Sequence, residues 1–272
     1  MAVLSVDLAY RRWSDLGIVV LDRVHQEGFA ASPDRRQPAD SQIACEIIPS
    51  VVPGDEPGPV DANTLAGQLN HLCTTRGISI IMLDGPQAWK SCSNGLEHSR
   101  VSERQLNTAA KTGLPGMVKP VTYRAFAEFC LDVYDALSRR GWRRLETQDQ
   151  PGSAPERVLV ESYPHAAWKS LGLRPLPSKR RSKVSDLAEA YCALNSLISI
   201  ITNRPPNHDQ LQAIVGGLAG LALEERNTSG ARIVGKPPRR EDGHWREGFI
   251  VLPMPPHGTS NLGGLKRMRW LE

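Results

Sequence analysis

Four carboxylates sit where an acid is costly to keep unless something pairs or coordinates it. Asp7 interrupts the apolar run VLSVDLA at residues 3–9, Asp84 ends the run ISIIMLD at 78–84, and Glu161 lies within the run RVLVESY at 157–163. The fourth, Asp209, follows Asn207 at the start of a helical pattern, with Gln210 placed to complete a capping box. Acids delivered to a common edge by several strands repel one another, and a divalent cation is the physical answer to that repulsion. Each also has a plainer reading. Asp209 could complement the helix dipole, Asp84 could cap a turn before Gly85-Pro86, and Glu161 could pair with His165 or an arginine.

The elements that must position these acids follow from hydrophobic period. Residues 3–9, 16–22 and 43–49 are β-branched or alternating runs without a helical pattern between them, so they predict an antiparallel meander. Residues 61–76 carry Leu65, Leu69 and Leu72 at helical spacing and stop at Gly77, and the strand at 78–84 follows. A helix between two strands implies a right-handed crossover and a parallel pairing, which makes the sheet mixed. Further helices are predicted over 123–140, 185–202 and 208–225, and further strands over 157–163 and 248–253. On the face of Asp209, the helix 208–225 presents Ala213, Gly216, Gly217 and Gly220. Three glycines at about 0.8–1 kcal/mol each relative to alanine predict close approach of this helix to the sheet.

This ordered set resembles the family called domain of unknown function 429, predicted nucleases of the ribonuclease H-like superfamily. The matching pieces are VDLA with Asp7, MLDGP with Asp84, VESYPH with Glu161, the Lys179 and Lys183 segment, and HDQLQA at 208–213. The resemblance implies an α/β ribonuclease H-like fold: a mixed five-stranded sheet, three antiparallel strands then parallel ones, flanked by helices, with extra loops and a C-terminal strand. It implies one domain over residues 1–272, with an inserted loop and helix region at about 87–150 and a C-terminal extension at about 226–272. It further implies a nuclease that hydrolyses phosphodiester bonds of DNA or RNA. Asp7, Asp84, Glu161 and Asp209 would be catalytic, and Asp7, Asp84 and Asp209 would hold Mg²⁺ or Mn²⁺. His208 and Gln212 stand where aspartates are common in the family, and an amide is a poorer ligand than a carboxylate, which puts a second metal in question. A non-catalytic nucleic-acid-binding or scaffold protein on the same fold is the alternative.

Charge is distributed in keeping with such a partner. The net charge of +4 over 272 residues is small, yet Asp15 to Asp61 holds nine acids against three bases, and Ser162 to Ser185 holds six bases and no acid. Lys179, Arg180, Arg181 and Lys183 are candidates to hold phosphates, as are Arg100 and Arg104 in the region after Asp84. Lys236, Arg239, Arg240, Lys266, Arg267 and Arg269 add charge toward the tail, and Trp89, Trp168 and Trp245 are either stacking platforms or core. Five scattered cysteines without a C-x-x-C pair suggest neither a disulfide framework nor a zinc site. Dinucleotide, P-loop and nucleophile-elbow signatures are missing. No apolar run approaches the roughly 18 residues of a membrane span, the longest being 13 at Leu211 to Leu223, and a cytoplasmic protein is expected. A homodimer is left open.

Overall fold

The computed structural model describes residues 2–24, 42–49, 58–147, 157–227 and 229–256. The basic residues Lys266, Arg267 and Arg269, and the far ends of the predicted insertion and extension, lie outside them. In chain order the elements are β1 (Ala2–Asp7), β2 (Gly17–Val24), β3 (Gln42–Ile47), α1 (Ala62–Arg76), β4 (Ile80–Asp84), α2 (Val101–Leu106), β5 (Lys111–Thr112), β6 (Val118–Lys119), α3 (Arg124–Ser138), β7 (Arg143–Arg144), β8 (Val158–Ser162), α4 (Pro164–Ser170), α5 (Val184–Leu197), β9 (Ile200–Thr202), α6 (His208–Glu224), β10 (Ala231–Glu241) and β11 (His244–Pro253).

Local chemistry sets these boundaries. Asp61 caps α1 by accepting from the Thr64 N–H at 2.7 Å, and Gly77 ends it in the left-handed conformation that glycine takes without steric cost. Asn207 and Gln210 form the expected reciprocal capping box at the start of α6.

The strand order is β10-β11-β8-β4-β1-β2-β3-β9, with β7 also pairing β8. Within it, β1–β2–β3 are antiparallel, and β1–β4 and β4–β8 are parallel. Three antiparallel strands followed by parallel ones, in the order β3-β2-β1-β4-β8, form a ribonuclease H-like sheet. Helix α6 packs on one face with α4 and α5, over a core containing Val3, Met82, Val160, Trp168 and Ile214. On the other face α1 and α3 enclose Leu4, Val6, Leu83, Leu69 and Val133.

The sheet has nine strands among the described residues: the five expected, the expected C-terminal strand as β11, and β7, β9 and β10 besides. The helix predicted over 185–202 ends at Leu197, because the β-branched run at 198–202 prefers extended backbone and pairs in parallel with β3 as β9. Strand β10 is also new; its charges and prolines hide it, and the Asp242-Gly243 turn that joins it to β11 is a hairpin signal. Lys236-Pro237-Pro238-Arg239 breaks the register of that hairpin. Of the inserted region, β5 and β6 form a separate two-stranded sheet. Among the described residues no helix is long and apolar enough to cross a membrane.

The glycine face of α6 bears out its reading. A Cβ on Gly217 would stand 2.6 Å from the Ser5 Cβ and 2.7 Å from Leu21, so only glycine permits this approach. The Ser5 hydroxyl donates to the Ala213 carbonyl at 2.7 Å, fastening helix to sheet. Gly17 plays the same part at the other end, since a Cβ there would collide with the backbone carbonyl of Asp209. The first turn of α6 is thereby held against the start of β2 and the end of β1.

Candidate active site

Asp7 and Asp84 end neighbouring parallel strands in exact register, so their side chains leave the same face of the sheet. Both are partly exposed, and the two carboxyls act on one another's protonation. Burial, then the charges of Asp84 and Asp209, push Asp7 well above the usual carboxylate range. Burial raises Asp84 to about 7, with the neighbouring Asp7 carboxyl opposing and Glu161's charge adding. Asp209 comes to this pair from the first turn of α6. Its carboxylate is buried, paired with Lys179, and 3.1 Å from Nδ1 of His208. Nε2 of His208 lies 3.0 Å from the Pro177 carbonyl, so His208 ties Asp209 to the segment carrying Lys179.

Lys179 also bonds Asp15 at 2.8 Å, and Arg12 bonds Asp15 at 3.2 Å. The Lys179 bond, above all, holds Asp15 below the usual range. Asp15 thus docks the 177–183 segment on the loop after β1, a contact invisible in sequence because its partners are far apart. The two segments so joined carry exposed Arg11, Arg12, Arg180, Arg181 and Lys183. Arg11 and Arg12 were not singled out by the sequence reading; the pair immediately after the first acid-bearing strand was the available signal.

Two sequence expectations are corrected. Glu161 aligns with Leu83, and Ser162 is the residue aligned with Asp84, so Glu161 leaves the opposite face of the sheet. Both its oxygens are taken by the Arg100 guanidinium at 2.7 Å. Pairing with an arginine, the plainer alternative, is what the fold delivers. Arg100 in turn is 1% exposed and also bonds Glu103 and Thr112, so it is an internal strut and not a phosphate ligand. Arg104, by contrast, is exposed on α2. Gln212 accepts from the indole of Trp168 at 2.8 Å, which explains an amide there as a support for a buried tryptophan. Trp89 and Trp168 are core, and Trp245 is sandwiched by Arg144 and Arg240.

The chain has 11% identity to each of two solved structures, Thermus thermophilus RuvC and T. thermophilus RuvC in complex with a Holliday junction substrate. The alignments cover 87% of this chain and 99% of those chains, with TM-scores of 0.36 and 0.39. No protein-family model and no curated protein matches the sequence.

As donors, Asp7, Asp84 and Asp209 offer only hard carboxylate oxygens, the chemistry that Mg²⁺ and Mn²⁺ select. Two neighbouring carboxyls that act on one another's protonation fit a site where a cation would offset their repulsion. Among the described residues, no group of three His, Cys, Asp or Glu side chains stands ready as a cage. The Lys179 ammonium occupies Asp209's carboxylate.

Proposed function

We propose that this chain is a divalent-metal-dependent nuclease that hydrolyses phosphodiester bonds of DNA or RNA. The observation that carries the reading is the convergence of Asp7, Asp84 and Asp209 at one end of a ribonuclease H-like sheet, the first two paired in register on neighbouring parallel strands. The ordered motifs resembling domain of unknown function 429 support the same reading. Asp7 and Asp84 would hold Mg²⁺ or Mn²⁺, and Asp209 would join them once Lys179 turns to a phosphate. The ion would supply Lewis-acid polarisation of the phosphodiester and neutralise charge at the leaving oxygen. The polypeptide's part is positional: Gly17 and Gly217 seat α6 so that Asp209 reaches the strand ends, and Arg11, Arg12, Arg180, Arg181, Lys183 and Arg104 would hold the nucleic-acid backbone. Glu161 would act through its charge on Asp84, without touching substrate.

A second reading is favoured by one observation, the engagement of Asp209 by Lys179 and His208. On that reading the ion pair replaces a metal, and the chain is a non-catalytic nucleic-acid-binding protein. Cleavage of a panel of single-stranded, duplex, hybrid and branched substrates with Mn²⁺ decides between them. Activity lost in Asp7→Asn supports the nuclease; no cleavage together with no calorimetric response to Mn²⁺ supports the binding protein.

A further inference from the structure

A cavity of about 190 Å³ opens beside Asp84, and the inserted region builds most of its wall. Its lining includes Asp84, Thr112, Tyr123, Phe126, Tyr163 and Ile250. An apolar cavity of about 150 Å³ accepts benzene, so a ring system is the scale of occupant that fits. Aromatic side chains supply the walls: Phe126 and Tyr163 are partly exposed, and Tyr123 is 43% exposed at the mouth. Tyr10, on the loop after Asp7, extends this aromatic surface, with its ring centroid 6.3 Å from Phe126. Part of the lining is polar, and there Arg100 bonds both Glu161 and Glu103. Apolar side chains protrude on the same segment that lends Val118 and Tyr123 to the lining: Met117 is 53% and Val121 73% exposed between β5 and α3. Exposed Lys119 on β6 and Arg11 beside Tyr10 give the surroundings the charge that a phosphate backbone requires.

We infer that this cavity receives an unstacked nucleobase of the strand bound at Asp7 and Asp84, so that the protein selects nucleic acid with an unpaired or extruded base beside the bound phosphodiester. The inference rests on the nuclease reading for the position of the strand. A base between Tyr123, Phe126 and Tyr163 has surrendered its stacking neighbours and its pairing partner, and the rings replace the lost stacking. The protruding apolar side chains would cover the opened step, as wedge residues do in other nucleic-acid complexes. The cost of extrusion is least where the base is already unpaired, which sets the preference.

Equilibrium binding without divalent metal, using the full chain carrying Asp7→Asn, tests this. The probes are a duplex with one bulged nucleotide, the same duplex with that nucleotide abasic, and the fully paired duplex. The bulged duplex is expected to bind about 5- to 150-fold more tightly than its abasic counterpart, the range for one stacked base. Adding Phe126→Ala or Tyr123→Ala should abolish the difference. Tyr123 is exposed on a short turn, so its variant keeps the test valid if Phe126→Ala fails to fold. Equal affinity for bulged and abasic duplexes, or a preference that survives Tyr123→Ala, overturns the inference. Cleavage by the unmodified chain with Mn²⁺ separates the two claims. Base discrimination without cleavage overturns the nuclease reading alone, and cleavage without discrimination overturns the pocket alone.

Discussion

Replacing Arg100 by methionine separates an internal strut from a phosphate ligand. The guanidinium makes two 2.7 Å bonds to Glu161 and further bonds of 3.0–3.1 Å to Glu103 and Thr112, with both carboxylates no more than 4% exposed. Methionine retains much of the packing volume but leaves two buried carboxylates without their counter-charge. Removing one partner of a buried pair costs about 3–5 kcal/mol. At about 2–4 °C per kcal/mol for a chain near this size, the melting temperature should fall by about 6–20 °C. Burial already pushes Glu161 above the usual carboxylate range against the opposition of Arg100. Without the arginine its folded-state pKa rises further, so the folded variant holds a proton that the unfolded chain releases. The variant therefore gains stability relative to the parent as pH is lowered from 8 toward 5, and its deficit narrows. Glu161→Gln in the same chain should recover part of the loss at pH 8. Thermal melts followed by circular dichroism at both pH values read this out. A deficit under about 1 kcal/mol at pH 8, unchanged at pH 5 and accompanied by weakened nucleic-acid binding, would refute the strut and restore the phosphate role.

Gly217→Val drives a branched side chain into Ser5 and Leu21, and overpacking should lower stability by about 1–3 kcal/mol in a denaturant melt. In metal-free protein the raised carboxyls of Asp7 and Asp84 make the folded state retain a proton that the unfolded chain loses near pH 4. Stability should thus fall as pH rises from about 4 to about 7, and Asp84→Asn should flatten that slope in melts across the range. Lys179→Ala frees Asp209 from its ammonium partner, so calorimetry should show tighter Mn²⁺ binding; weaker or unchanged binding would count against competition at that carboxylate. Arg180→Ala and Arg181→Ala should each reduce the salt slope of nucleic-acid binding by about 1 without changing base preference, as measured by titrations from 50 to 200 mM salt.

The alternation and apolar runs that place Asp7 and Asp84 were legible because strand ends interrupted by acids are rare in a buried sheet. Asp209 was legible through the capping box and the glycine face of its helix. Glu161 misled for a geometric reason: its strand is buried on both faces, so hydrophobicity carries no period of two from which to read its side. Arg100 misled because charge in a loop reads as exposure, whereas its partner lies 61 residues away. The dependence of the site on Asp15 and Lys179 was beyond sequence for the same cause, their separation being 164 residues. Strand β10 was hidden by prolines and charges that suit an edge, where one side needs no ladder bonds.

That edge has a consequence for assembly. Two prolines and a break in register at Lys236 to Arg239 interrupt β10 midway, which shortens the unbroken edge it could offer to a neighbouring molecule. The opposite border, β9, is three residues long. Among the described residues, neither border offers a long unbroken edge, which reduces the chance that the sheet pairs edge to edge with another molecule.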